Sequence, residues 1–205
     1  HELRTPLTTI RTAVDVTLDG DPTRTELLTM AEDVRTAADD SRRTLDGLLA
    51  LARSHAGVTS PRTVDLAEVT ASALADVAGQ VAAADIEVRQ DLRVALVVGE
   101  PVLLEGMTAN LLANAVRYNH PGGYVTVSTG MAEGVAFLQV INSGRAVPAE
   151  QVGRLLDPFV RGEGTGGAGL GLSIVRAVAL AHHGEITATA NPGGGLSVNV
   201  RLPAG

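Results

Sequence analysis

The stretch Asn110-Leu111-Leu112-Ala113-Asn114-Ala115-Val116-Arg117-Tyr118 lies in a segment whose apolar spacing predicts a helix over 101–118. Asn110 and Asn114 are four residues apart, so both amides project from one face of that helix. Asparagine is a poor helix former, and each one costs roughly a few tenths of a kcal/mol relative to alanine. Two asparagines on one face of an apolar helix therefore indicate a functional role, such as binding Mg²⁺ and phosphate oxygens. The alternative is a solvated polar stripe.

Further candidates for phosphate and base contacts lie around this helix. Arg117 offers hydrogen-bond donors for a phosphate group, and Tyr118 offers a flat ring that can pack against a purine. Gly167-Ala168-Gly169-Leu170-Gly171-Leu172 marks a junction of loop and helix, where backbone N–H groups can approach phosphates. Upstream, the stretch Asp157-Pro158-Phe159-Val160-Arg161 supplies apolar side chains that could pack over a site, and one arginine. A flexible linker is the alternative for the glycines, since a lone glycine-rich match is weak.

The pattern of apolar residues on both sides of the helix over 101–118 predicts an α/β sandwich over residues 62–205. The predicted elements are helices over 66–82, 101–118 and 170–182, short strands around 86–88 and 94–98, strands near 124–129 and 135–141, and a hairpin closed by residues 191–195. The last strand alternates strictly at Leu196, Val198, Val200 and Leu202. Residues 144–171 show little periodicity and are predicted to be a long loop.

Residues 1–57 predict a pair of helices, and residues 56–62 a linker. The apolar stripes are Leu3, Leu7, Ile10, Val14 and Leu18 in the first helix, and Leu27, Met30, Val34, Ala37, Leu45, Leu48 and Ala52 in the second. Gly20-Asp21-Pro22 predicts the end of one helix and the start of the next, with Asp21 as N-cap and Pro22 as first helical residue. Two helices cannot bury both apolar faces well, which favours pairing with a second copy as a four-helix bundle.

The first helix opens with His1-Glu2-Leu3-Arg4-Thr5-Pro6. Thr5 lies one turn after His1 and shares its face. An exposed imidazole beside a carboxylate can be relieved of a proton as it attacks phosphorus. Judged alone, a chance histidine at a helix start is the better interpretation, because short motifs have many accidental matches.

Composition narrows the function classes. The net charge is −7, which argues against a general nucleic-acid binder. There is no cysteine, so disulfides and thiolate metal sites are excluded. No run approaches the roughly 20 apolar residues that span a bilayer. A chain that opens on histidine is expected to be a fragment, so membrane attachment is expected only through missing upstream segments.

The order of these motifs resembles the sensor histidine kinases of bacterial two-component signalling. The resemblance rests on His1 through Pro6, Asn110 through Tyr118, Asp157 through Arg161, and Gly167 through Leu172. It covers nearly the whole chain and implies an α+β fold. A dimerisation and phosphotransfer hairpin at 1–57 would be half of a dimeric four-helix bundle. A Bergerat-type ATP-binding α/β sandwich, of the kind gyrase shares, would follow at 62–205.

The resemblance also implies roles for the motif residues. His1 would accept the γ-phosphoryl group of ATP, Glu2 would act as general base, and Thr5 would position water for dephosphorylation of the regulator. Asn114 would coordinate Mg²⁺. The remaining expected nucleotide contacts are Asn110, Arg117, Tyr118, Asn142, Gly144, Arg161, Gly167, Gly169, Leu170, Gly171 and Leu172.

One motif departs from the family pattern. Where the family has Asp-x-Gly-x-Gly, this chain reads Asn142-Ser143-Gly144-Arg145-Ala146. Asn142 keeps a carbonyl acceptor for the adenine amino group but loses the charge, and charge-assisted hydrogen bonds are roughly twice as strong as neutral ones. Ala146 also replaces a glycine. The sequence therefore predicts weakened nucleotide binding.

The implied partners are a second copy of the chain, the receiver domain of a response regulator, and ATP. The implied location is the cytoplasmic portion of a bacterial inner-membrane protein. The alternative function is a catalytically degenerate scaffold or a phosphatase-only module, which Asn142 and Ala146 favour. An anti-sigma-type serine kinase is disfavoured, because that class lacks the phosphoacceptor hairpin.

Overall fold

The computed structural model describes residues 4–55, 57–160 and 169–205. The chain forms two compact units, which divide between Leu49 and Ala50. The first unit holds most of a helical hairpin, and the second holds a mixed α/β fold. Among the described residues, no helix is both long and apolar enough to cross a bilayer.

The hairpin consists of α1 (Arg4–Leu18) and α2 (Arg24–His55). The expected start of the second helix at Asp21 and Pro22 is wrong, because the next residue, Thr23, forms the cap. Its Oγ1 accepts a hydrogen bond from the Glu26 N–H at 3.3 Å, and the Glu26 carboxylate accepts one from the Thr23 N–H at 2.7 Å. This reciprocal capping box satisfies two donors, and the Thr23 hydrogen bonds lower the pKa of Glu26.

The apolar stripes of the hairpin are only partly covered. The half-buried or buried members are Ile10, Val14, Met30, Val34 and Ala37. The large exposed apolar side chains are Leu7, Val16, Leu18, Leu27, Leu28, Leu45, Leu48 and Leu49. Uncovered apolar area on this scale indicates a surface that meets another molecule.

The second unit is built on a five-stranded sheet. Its strands are β2 (Glu87–Leu92), β4 (Tyr124–Ala132), β5 (Val135–Asn142), β6 (Glu185–Ala190) and β7 (Leu196–Pro203), in the order β2-β4-β5-β7-β6. Strands β2 and β4 run parallel, and the other neighbours are antiparallel. A separate antiparallel pair joins β1 (Arg62–Asp65) to β3 (Leu96–Gly99).

The longer helices that lie wholly within the second unit are α3 (Leu66–Ala83), α4 (Pro101–Arg117) and α6 (Gly171–Ala181). Helix α4 is central, because it packs against both α3 and α6 and touches β5. The largest fully buried side chains are Leu66, Leu104, Met107, Leu112, Leu138, Leu202, Val97, Val125, Val127, Val175, Val178 and Val200. The predicted α/β sandwich is confirmed, and its three main helices end within one residue of their predicted bounds.

The segment predicted as a long loop over 144–171 contains two short helical turns. Helix α5 spans Ala149–Val152, and a 3₁₀ turn follows at Gly153–Leu156. Pro148 precedes α5 with φ of −58°, and Val152 is buried. One buried valine gives too little periodicity to identify a helical turn from the sequence, which is why the prediction missed it.

The end of α6 offers a stability prediction. His183 has a φ of +59° and donates its N–H to the Leu180 carbonyl, while the Gly184 N–H bonds to the Ala179 carbonyl. This is a Schellman motif with a histidine at the left-handed position that favours glycine. We expect His183→Gly to raise the free energy of unfolding by about 0.5–1 kcal/mol, measured by urea denaturation. The control Ala181→Gly, one residue inside the helix, should lose stability; a loss in His183→Gly would contradict the prediction.

Candidate active site

The N-terminus of α6 meets an asparagine of α4. A Cβ built on Gly171, the first residue of α6, would lie 2.6 Å from Asn114 Nδ2 and 2.8 Å from its Oδ1. The residue before α6, Leu170, is buried and makes no side-chain cap. The first N–H groups of a helix have no partners within the helix and carry partial positive charge. An amide side chain and a helix terminus suited to an anion therefore lie side by side.

Asn110 lies one turn before Asn114 on α4, and both are half-buried. The Asn110 Nδ2 donates to the Gly106 carbonyl at 2.7 Å, so its Oδ1 is left as the acceptor. Because the neighbouring Leu111, Leu112 and Ala115 are buried, this polar pair borders the core. Among the described residues no cluster of three or more His, Cys, Asp or Glu side chains is placed to hold a metal ion.

Tyr118 joins this site to the loop after β5. It is half-buried at the C-terminal end of α4, while Arg117 is exposed. A Cβ on Gly144 would collide with the Tyr118 carbonyl oxygen. Only glycine fits there, so residue 144 brings the loop directly against the end of the helix.

Asn142 is the last residue of β5 and is only 8% exposed. Its Nδ2 donates to the Ser143 carbonyl at 2.7 Å. No hydrogen bond within the described part of the chain uses its Oδ1. The side chain is thereby oriented with a carbonyl acceptor available to a ligand.

The loop that begins at Asn142 is braced by the turn between β6 and β7. Asn191 Nδ2 donates to the Asn142 carbonyl at 3.0 Å, and the Gly195 N–H donates to the Arg145 carbonyl at 2.9 Å. Gly194 and Gly195 have φ values of +91° and +86°. The sequence indicated this turn only as a hairpin closure, and its role beside Asn142 was missed.

A second brace is the hydrogen-bond network around Ser143. Its Oγ donates to Asn119 Oδ1 at 2.6 Å and accepts from the Tyr124 N–H at 2.8 Å. Asn119 Nδ2 in turn donates to the Tyr124 carbonyl at 3.0 Å. Asn119 and Ser143 are 24 residues apart in sequence, so the prediction had no local signal for their pairing.

The segment Asp157–Val160 meets Gly169 near the start of α6. The Phe159 N–H donates to the Gly169 carbonyl at 2.9 Å, and both residues have positive φ, +64° and +67°. Phe159 is 48% exposed. Phe159 is the strained residue of the two, because glycine adopts positive φ readily, and such strain persists where the surroundings hold it, often at functional sites. Asp157 is held by Arg176 of α6 at 3.0 Å.

Several predicted residues lie outside the part of the chain that the structure describes. They are His1, Glu2, Arg161 and Gly167, together with the side chain of Thr5. Of the others, Asn110 and Asn114 lie one turn apart on α4, and Asn114 is the one that lies against Gly171. Tyr118, Gly144 and Asn142 form a continuous series beyond the end of α4. Leu172 is half-buried in the first turn of α6.

Two family models match the chain. Residues 1–57 match the His Kinase A (phospho-acceptor) domain, and residues 99–205 match the histidine kinase-, DNA gyrase B- and HSP90-like ATPase. The chain is 44% identical over 209 residues to the sensor protein CutS of Streptomyces coelicolor, covering 99% of this chain and 50% of that protein. It therefore spans about half the length of this relative.

Solved structures share the fold. The histidine kinase AdeS of Acinetobacter baumannii superposes with a TM-score of 0.78 at 22% identity, covering 99% of this chain and 97% of that one. The histidine kinase ThkA, in complex with the response regulator protein TrrA, gives 0.78 at 17% identity, covering 100% of this chain and 59% of that one. With both family models in the expected order, the chain belongs to the sensor histidine kinases of two-component signal transduction.

Proposed function

We propose that this chain transfers the γ-phosphoryl group of ATP to His1 and then to an aspartate of a response regulator. The observation that supports this best is the Asn114 amide against the first residue of α6. Phosphoryl transfer depends on positioning and charge stabilisation rather than on covalent chemistry by the protein. An amide oxygen and helix N–H groups at one point are suited to that task.

The described residues fit an Mg-ATP complex. Asn110 Oδ1 is left as an acceptor, and Asn114 Oδ1 lies beside the first residue of α6. Amide oxygens are hard ligands, and the described residues hold no cluster of three or more His, Cys, Asp or Glu side chains. Mg²⁺ usually keeps several waters and binds through one or two protein ligands plus substrate phosphates, and this fits such a sparse site. When bound, it would neutralise phosphate charge. Gly169, Leu170, Gly171 and Leu172 would contact the phosphates, together with Gly167 and Arg161.

The base would lie at the other end of the site. Asn142 Oδ1 would accept a hydrogen bond from the adenine amino group. Gly144, which has no side chain, would leave room for the ring. Tyr118 would pack near the adenine, and Arg117 would contact phosphate. At the acceptor, His1 would attack the γ-phosphorus and Glu2 would take its proton. Thr5 would position water for dephosphorylation of the regulator.

The uncovered leucines of α1 and α2 support a homodimer. Two hairpins would bury these stripes in a four-helix bundle, as in the sequence-based expectation. ThkA is solved with a response regulator protein, and by analogy a receiver domain would be the second partner. We also propose a cytoplasmic location for this portion of an inner-membrane sensor.

A scaffold or a phosphatase-only module is the second candidate, and the residues Asn142 and Ala146 favour it. The two functions differ in Mg-ATP binding, which calorimetric titration of the full chain measures. Saturable binding that Asn114→Ala weakens supports the kinase. Absence of binding in the native chain, with binding restored by Asn142→Asp, would favour the second candidate.

The same titration carries a prediction for the base contact. We expect Asn142→Asp to bind Mg-ATP about fivefold to tenfold more tightly, because a charge-assisted hydrogen bond replaces a neutral one. Its carboxylate would face the Ser143 carbonyl, so the nucleotide-free variant should be less stable than the native chain. Gln139→Glu on β5 adds the same charge as a control and should leave affinity unchanged. Equal or weaker binding in Asn142→Asp would contradict the assignment.

A further inference from the structure

Glu100 connects α4 with the residues that follow the hairpin. Its Oε2 accepts three hydrogen bonds: from the Ser60 N–H at 2.9 Å, and from the Thr59 N–H and Oγ1, each at 3.2 Å. The hydrogen bond from the Ser60 N–H is the main cause that lowers the pKa of Glu100. Thr59 and Ser60 lie between the end of α2 at His55 and the start of β1 at Arg62.

The Glu100 side chain does not serve its own helix. Glu100 is the N-cap of α4 but makes no side-chain hydrogen bond to the first turn. The side chain of an N-cap residue normally accepts a hydrogen bond from the backbone N–H two or three residues later. Here the carboxylate instead holds a segment about 40 residues away in sequence.

The backbone of Glu100 is fixed by a buried histidine. Its N–H donates to His182 Nε2 at 3.0 Å, and His182 Nδ1 donates to the Val178 carbonyl at 2.8 Å. His182 is 5% exposed, and a Cβ on Gly99 would lie 2.5 Å from its ring. A continuous series of hydrogen bonds therefore leads from Ser60 through Glu100 and His182 to α6, the helix whose N-terminus faces Asn114.

We propose that Glu100 is a positioning residue that anchors the linker after the hairpin and thereby sets the rate of phosphoryl transfer to His1; this rests on the proposed function. With the anchor, only residues 56–58 separate α2 from the first held residue, a reach of roughly 10 Å at about 3.5 Å per residue. Without the anchor, residues 56–61 form the linker and the reach doubles. The effective concentration of the ATP-binding unit at His1 falls roughly as the −3/2 power of the linker length. Doubling the linker should therefore slow phosphoryl transfer to His1 about threefold.

The test compares Glu100→Ala and Glu100→Ser with the native full chain, and uses Glu105→Ala as control, an exposed glutamate on the same helix. Three quantities are measured: amide hydrogen exchange at Thr59 and Ser60, the Kd of Mg-ATP, and the single-turnover labelling rate of the chain at saturating γ-labelled ATP. We expect faster exchange in both Glu100 variants, Kd within about twofold, and labelling about threefold slower. The control should match the native chain in all three.

The serine variant separates positioning from stability. The short hydroxyl side chain that Glu100→Ser introduces can cap α4, so this variant should not lower Tm even though it slows labelling. A native labelling rate in Glu100→Ala, or a loss of rate explained by weaker Mg-ATP binding, would overturn the anchor while leaving the kinase intact. If the native chain binds no nucleotide and takes no label, the proposed function fails, and the rate claim fails with it.

Discussion

Gly195→Ala is expected to cause a large loss of stability in the ATP-binding fold. Gly195 has a φ of +86°, where a non-glycine residue is strained, and its Cβ would collide with the backbone carbonyl of Asn142. Backbone cannot yield as a flexible side chain can. We expect a loss of at least about 3 kcal/mol in the free energy of unfolding, equivalent to a Tm lower by about 10 °C.

Gly193 provides a matched control in the same turn. A Cβ there would meet nothing within 4 Å. Gly193→Ala should therefore change stability by less than about 0.5 kcal/mol. Both variants are compared by thermal denaturation without nucleotide. Equal Tm values for the two variants would show that the turn does not brace the Asn142 loop.

Gly171→Ala is expected to slow phosphoryl transfer about a hundredfold without unfolding the chain. The added Cβ would lie 2.6 Å from Asn114 Nδ2 and 3.1 Å from its Cγ, so the amide must move. A side chain can move at little cost to stability, and alanine favours a helix over glycine by about 1 kcal/mol. Misplacement of about 1 Å in a transfer site can cost on the order of a hundredfold in rate. We therefore expect a labelling rate lower by about two orders of magnitude with an unchanged or higher Tm.

The control for this substitution is Gly79→Ala in α3, where a Cβ meets nothing within 4 Å. It makes the same helix-favouring change away from the site. Its labelling rate should equal that of the native chain. A native rate in Gly171→Ala would mean that the Asn114 amide does not contact the nucleotide or its ion.

The sequence predicts the elements of the fold well where the apolar pattern is regular. Strand β7 follows from the alternation of Leu196, Val198, Val200 and Leu202, and α4 follows from its spaced leucines. The pattern fails at Thr23, because a proline two residues after glycine suggested an earlier helix start than the capping box produces. The Thr23 and Glu26 pair, three residues apart, was the signal that identifies the cap.

The motifs of the candidate site can be predicted from the sequence, but the long-range contacts that hold the site in place cannot. Asn114 and Gly171 stand out locally, yet nothing local shows that they touch. Asn191 and His182 also looked ordinary in sequence, since their partners Asn142 and Glu100 are 49 and 82 residues away. Hydrogen bonds over such separations are set by the tertiary fold, and a periodicity within one segment carries no information about them.

The most direct test of the central claim is transfer of label from γ-labelled ATP with Mg²⁺ to the full chain. The native chain, His1→Ala and His183→Gly would be compared, the last as an exposed histidine outside the site. Label that is lost in acid and kept in alkali, present in the native chain and in His183→Gly but absent from His1→Ala, is the predicted result. Label that persists in His1→Ala, or a native chain that binds Mg-ATP and takes no label, would contradict the account.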